Sequence, residues 1–132
     1  MSIKKLPDYS SKQKILYVDK VNQNELKDYG NSFLEDGFLS DALDFYQKAN
    51  DKGGMQKIKD IAFDRGDVML FQQAAKALNV ELEPADWEDI GQKAIGLKKY
   101  FFALHALGKT NNEEMLNSLK KIMHQEVDSK SE

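Results

Sequence analysis

Lys27 and Asn31 are four residues apart in a segment with helical spacing, and together they could bind a carboxylate. An α-helix makes one turn in about 3.6 residues, so both side chains would project from the same face. The lysine ammonium and the asparagine amide are both hydrogen-bond donors, and a carboxylate accepts such bonds strongly. The pair therefore predicts a polar contact with an acidic group rather than a catalytic step.

Other chemistry-bearing residues do not form a catalytic, cofactor or metal pattern. His105 and His124 lie in different predicted helices, outside any metal-binding spacing. The run at 52–54, Lys-Gly-Gly, lacks the spacing of a phosphate-binding loop. Acidic residues at 86–89 are accounted for by a helix start, where they favour the helix dipole. We therefore expect a non-enzymatic protein with no cofactor and no bound metal.

Composition excludes several classes of protein. The chain has 132 residues, 41% hydrophobic and 31% charged, which is typical of one globular domain. Its net charge is −3, so nothing favours nucleic acid as a partner. It has no cysteine and no apolar run of about 18 residues that could span a membrane. The N-terminus lacks the apolar segment of a secretory signal, so we expect a cytoplasmic protein without membrane contact.

The elements that must position these side chains are predicted to be helices. Apolar residues recur with helical spacing along nearly the whole chain, and only two prolines and one short β-friendly run occur. The predicted fold is therefore all-α. We divide it into an N-terminal segment with a short helix (1–22), three helix pairs (23–110), a capping helix (111–126) and a flexible tail (127–132).

The three helix pairs repeat one another. Shifting the first register by 29 and by 61 residues brings large and small apolar positions into coincidence, with steps of 29 and 32 between pairs. The registers are Leu26, Tyr29, Gly30, Phe33, Gly37, Leu39, Ala42, Tyr46 and Ala49; then Met55, Ile58, Lys59, Ala62, Gly66, Val68, Phe71, Ala75 and Leu78; then Trp87, Ile90, Gly91, Ala94, Lys98, Tyr100, Ala103, Leu107 and Thr110.

This pattern resembles the tetratricopeptide repeat (TPR) family, in three degenerate repeats. The first and third pairs match its order of large, small and aromatic positions. The middle pair departs from it, with Lys59 at a small position and Phe71 at an alanine position. The family's period is about 34, so the connections here are shorter. The resemblance implies a TPR-like α-solenoid of three antiparallel helix pairs plus a C-terminal capping helix.

Small residues within the helices indicate close helix packing. Gly inside a helix costs about 1 kcal/mol relative to Ala, so it is retained where a larger side chain would push a neighbour away. We expect Gly30 and Gly91 to lie where the partner helix crosses, with Ala42 and Ala103 facing them.

In a stacked solenoid the first helix of each pair lines a concave groove. The resemblance thus implies a protein–protein interaction module that binds a partner segment there. Leu34, Phe63 and Ile95 would form an apolar line flanked by polar groups; alternatively they belong to the core and the polar residues are solvated surface. The predicted groove residues are Lys27, Asn31, Leu34, Glu35, Asp60, Phe63, Asp64, Glu88, Gln92 and Ile95.

Chaperone-binding members of the family hold a peptide's terminal carboxylate with the Lys and Asn found here at 27 and 31. Their remaining donors are lacking here: Lys57 replaces an Asn, and Glu88 and Gln92 replace basic residues. The acidic groove residues instead predict an extended, partly apolar and basic protein or peptide partner. Two further readings stay open, a secretion-type chaperone that holds an exported protein and a self-associating structural protein.

Overall fold

The computed structural model describes residues 6–131, with side chains described as far as residue 127. Over that range the chain forms eight α-helices and no β-strand, so the all-α prediction is confirmed. The helices are α1 Tyr9–Tyr17, α2 Gln23–Glu35, α3 Leu39–Lys48, α4 Lys52–Asp64, α5 Val68–Ala77, α6 Pro84–Gly96, α7 Tyr100–Leu107 and α8 Glu113–Ser131.

Helices α2 to α7 form three consecutive hairpins with a regular offset. The first helices α2, α4 and α6 each have 13 residues. Both the first and the second helices recur at the steps of 29 and then 32 residues found in the sequence. Within each hairpin the two helices pack against each other; α3 also contacts α4, and α5 contacts α7.

The turn inside each hairpin has the same backbone form. Gly37, Gly66 and Lys98 occupy one repeat position, and all have positive φ, at 85°, 62° and 59°. In the first hairpin the N–H of Phe38 bonds to the Phe33 carbonyl at 2.9 Å, the long bond of a Schellman motif. Lys98 adopts a conformation that glycine adopts more easily, and it is the third turn's departure from the pattern.

The closest helix contact is made by the ring of Tyr46, which is fully buried. A Cβ placed on Gly30 would lie 2.8 Å from this ring, and a Cβ on Gly54 would lie within 2.7 Å of three of its atoms. Glycine is therefore required on both α2 and α4. The expected partner of Gly30 was Ala42, but the atoms nearest to Gly30 belong to Tyr46, because the large ring occupies the space that the glycine leaves.

The third hairpin repeats this contact with a smaller side chain. A Cβ on Gly91 would lie 2.8 Å from Leu107, which takes the register position of Tyr46. Ala103, the expected partner of Gly91, is not among its nearest atoms. In the middle hairpin the sizes are exchanged, since Lys59 stands in the glycine position and a buried Ala75 in the tyrosine position.

Helices α1 and α8 flank the hairpins. Helix α8 contacts α7 and buries Leu119 completely. It continues through Ser131, so the segment expected to be a flexible tail from 127 is helical as far as the structure describes it. Among the described helices, none combines the length and the apolar composition that a membrane span requires.

Helix α1 buries two side chains, Leu16 and Lys12, and Lys12 attaches it to α3. The Lys12 ammonium donates to Asp41 at 2.6 Å and to Asp44 at 2.7 Å. Burial by itself would lower the pKa of Lys12, but the hydrogen bonds and charges of the two carboxylates outweigh it and raise that pKa above its ordinary value. This ion-pair cluster orients α1 on the first hairpin.

Replacing Gly54 with alanine should lower the free energy of unfolding by about 1–3 kcal/mol, since the new Cβ overlaps the Tyr46 ring. The matched control is Gly53→Ala in the same helical turn, where the nearest atom, an Asp51 carboxylate oxygen, is 3.5 Å away. That variant should be neutral or gain up to about 1 kcal/mol from helix propensity. Urea unfolding of both variants measures the difference, and equal effects would contradict the packing described.

Replacing Lys12 with methionine keeps the length of the side chain but removes its hydrogen bonds to Asp41 and Asp44. We expect α1 to open more readily by about 1–3 kcal/mol, measured as faster amide hydrogen exchange confined to residues 9–17. The control is Lys14→Met, an exposed lysine of the same helix. Unchanged exchange in Lys12→Met would show that the apolar contacts of α1 hold it without the ion pairs.

Candidate functional site

A cleft of about 330 Å³ opens between the first helices of the second and third hairpins, α4 and α6. One residue of α5, Phe71, also lines it. Its lining is mainly acidic and aromatic: Lys59, Asp60, Phe63, Asp64, Phe71, Asp86 and Asp89.

The apolar part of the cleft is a pair of phenyl rings. The ring centroids of Phe63 and Phe71 are 6.0 Å apart, with the planes tilted by 51°. Phe71 is buried, whereas Phe63 is half-buried and presents part of its ring to the cleft. Such a surface accepts an apolar side chain or the face of a cationic group.

The acidic part of the cleft contains four aspartates. Asp86 accepts the backbone N–H of Glu83 at 2.8 Å as part of the capping box that begins α6, and Asp60 accepts from Gln56 at 2.9 Å. Asp64 and Asp89 form no hydrogen bond or ion pair with the described residues. They are therefore available to a ligand, and one of the four carboxylates would suffice to balance the single lysine in the lining.

That lysine, Lys59, directs its ammonium over the Phe71 ring, 5.3 Å from the centroid. Within the part of the chain that the structure describes, it makes no ion pair with a carboxylate. The cleft consequently already holds one cation against an aromatic face, at a distance typical of a cation–π interaction.

The Lys27 and Asn31 pair has partners within the chain. The Lys27 ammonium is 3.9 Å from an oxygen of Asp51, and the side-chain oxygen of Asn31 accepts from the Tyr46 hydroxyl at 2.6 Å. A carboxylate approaching Lys27 would meet Asp51, which has the same charge. The surface at Lys27 and Asn31 is thus less suited to bind an anion than the sequence pattern suggested.

Tyr46 is an electrostatically perturbed group at this position. Burial of its hydroxyl, reinforced by the negative charges of Asp51 and Glu35, raises the pKa of Tyr46 to about 12. The raised pKa keeps the phenol protonated, and its hydrogen bond to Asn31 intact, to more alkaline pH than for an ordinary tyrosine. Its role here is to hold the surface in place rather than to transfer a proton.

The third predicted groove position contacts the end of the hairpin array. Glu88 accepts from the side chain of Asn112, which precedes α8, at 3.3 Å, while Gln92 is exposed. Leu34 and Ile95 are half-buried and pack against the core, and neither lines the cleft. Of the three residues in the expected apolar line, Phe63 alone contributes to the cleft.

The predicted residues therefore lie in three separate places, and the cleft brings together only Asp60, Phe63 and Asp64 among them. Asp86 and Asp89 were not predicted as site residues, because the helix dipole alone accounted for them. Each first helix has two flanks, one toward the preceding hairpin and one toward the next. The predicted positions lie on the flank that faces the next hairpin. A cleft between two hairpins is also lined by the opposite flank of the following first helix, and no residue of that flank was predicted. The three-residue spacing of the two aspartates was the available signal.

The described residues contain no group of three histidine, aspartate or glutamate side chains that could hold a metal ion, so the aspartates of the cleft are not grouped as metal ligands. Comparisons with known proteins found no match among protein-family models, curated proteins or solved structures.

Replacing Tyr46 with phenylalanine should lower stability at neutral pH by about 1 kcal/mol through loss of the bond to Asn31. The pKa of Tyr46 is raised from 10.0 to about 12 on folding, so its contribution is complete below pH 10 and is lost as the pH rises toward 12. A shift of this size corresponds to about 2–3 kcal/mol, so the stability difference between wild type and variant should narrow over that interval and then reverse in favour of the variant. Urea unfolding at several pH values tests this, and a constant difference would contradict it.

Proposed function

We propose that the chain is a TPR-like α-solenoid without catalytic activity, and that it binds a segment of a partner protein in the cleft between α4 and α6. The segment is extended, basic and partly apolar. The observation that carries the proposal is the lining of the cleft, which joins two phenyl rings to four aspartates.

The solenoid part of the proposal is supported by the repetition along the chain. Three hairpins recur at steps of 29 and 32 residues, and their turns share a positive φ at the same position. Gly30 with Tyr46 and Gly91 with Leu107 make equivalent close contacts sixty-one residues apart. Such units bury a continuous core by stacking on their neighbours, which leaves the first helices on one side to receive a ligand.

The chemistry of the partner follows from the charges and the apolar surface. Asp64 and Asp89 are exposed and can accept from a lysine or arginine side chain. The half-buried Phe63 can cover an apolar neighbour of that cation. A terminal carboxylate is a poor ligand for the chain, because Lys27 faces Asp51 and the cleft itself is negative.

An end-blocked peptide in which arginine alternates with leucine is the probe for this function. We expect saturable binding by isothermal titration calorimetry, weakening as the salt concentration rises. Replacing both Asp64 and Asp89 with asparagine should weaken binding about 2- to 30-fold, since each ion pair with an exposed carboxylate contributes about 0.2–1 kcal/mol.

The matched control is Asp19→Asn with Asp28→Asn, two exposed aspartates outside the cleft that give the same change in net charge. A peptide with glutamate in place of arginine should not bind. Equal loss of affinity in the two double variants would indicate a general charge effect and remove the cleft from the proposal.

A further inference from the structure

We infer that Lys59 is an internal occupant of the cleft: its ammonium takes the position over Phe71 that a cationic side chain of the partner takes, and binding displaces it. This inference rests on the proposed function and adds a specificity-determining residue to it. Lys59 would set how strongly a cation must bind in order to enter.

The middle hairpin departs from the repeat at two register positions, and the structure joins them. Lys59 replaces the glycine found at Gly30 and Gly91, and Phe71 replaces the alanine found at Ala42 and Ala103. These two replacements contact each other as ammonium and ring at 5.3 Å. The lysine and the aromatic face are thus features of this one cleft, absent from the other two hairpins.

The packing around Lys59 does not fix its side chain in one position. At the equivalent positions glycine is required because Tyr46 or Leu107 fills the space above it. The small Ala75 stands at that position in the middle hairpin, so a long side chain can leave α4 without a clash. Lys59 is half-buried and makes no ion pair with the described residues, so its ammonium is held mainly by the ring.

Such a contact is weak enough to exchange. A cation–π interaction at an exposed site contributes about 0.5–1 kcal/mol. An arginine from a partner can stack on the same ring while its other donors reach Asp64 or Asp89. When Lys59 swings out into solvent, the cleft exchanges one cation for another and loses no charge balance.

The test compares Lys59→Met with wild type, using the end-blocked arginine–leucine peptide. Methionine keeps the length of the side chain and removes the competing cation, so affinity should rise about two- to five-fold. Lys59→Arg, which retains a cation over the ring, should change affinity by less than about two-fold on the same scale.

Removing any nearby positive charge would favour a cationic peptide, so the control is Lys57→Met. Lys57 is exposed on the same helix and does not line the cleft. A second readout is independent of affinity: the ε-methylene protons of Lys59 should show a ring-current shift in the free protein that disappears when the peptide is added.

The outcomes separate the two proposals. Tighter binding by Lys59→Met than by Lys57→Met, together with loss of the ring-current shift, supports displacement of Lys59 from the Phe71 ring. Measurable binding by Lys59→Met alone supports it as well. Binding by wild type with no gain in Lys59→Met overturns the role of Lys59 and leaves the proposed function standing. Failure of every form to bind overturns both.

Discussion

The ring of Tyr46 between Gly30 and Gly54 is the contact on which the first half of the structure depends. A fully buried phenol on α3 occupies space left by glycines on α2 and α4, so its bulk sets the separation of three helices. Its hydroxyl then bonds to Asn31, and Asp51 accepts the Gly54 N–H while facing Lys27. The surface that resembled a carboxylate clamp is therefore linked to the packing beneath it.

In the middle hairpin the small residue is on the second helix and the large residue is on the first helix, the reverse of the first hairpin. A buried alanine at Ala75 replaces the large ring, and the long side chain comes instead from Lys59 on the first helix. The long side chain of this pair is therefore at the cleft instead of in the core, and Lys59 lines the cleft together with Phe71. A departure that weakens the resemblance to a repeat family is thus physically compatible with the same helix arrangement, and it distinguishes this cleft from its neighbours.

Much of the fold could be predicted from sequence, because helix periods and turn residues are local signals. The steps of 29 and 32 residues follow from spacing along the chain, and Gly37 lies in a turn at its register position. The site was predicted less completely. Asp60, Phe63 and Asp64 were found because they share one helix face, whereas Asp86 and Asp89 belong to another helix and join them only across a hairpin boundary.

The sequence by itself determined the all-α class, the three hairpins and the close helix approach at Gly30 and Gly91, since each depends on residues within about one helical turn or one repeat. Tertiary structure alone decided what fills the space beside each glycine and which flanks of α4 and α6 form the cleft. It also decided that Asn31 accepts from Tyr46 and that Glu88 contacts Asn112. These outcomes depend on helix–helix orientation, which periodicity does not encode, because a stripe identifies a buried face but not the side chain that meets it.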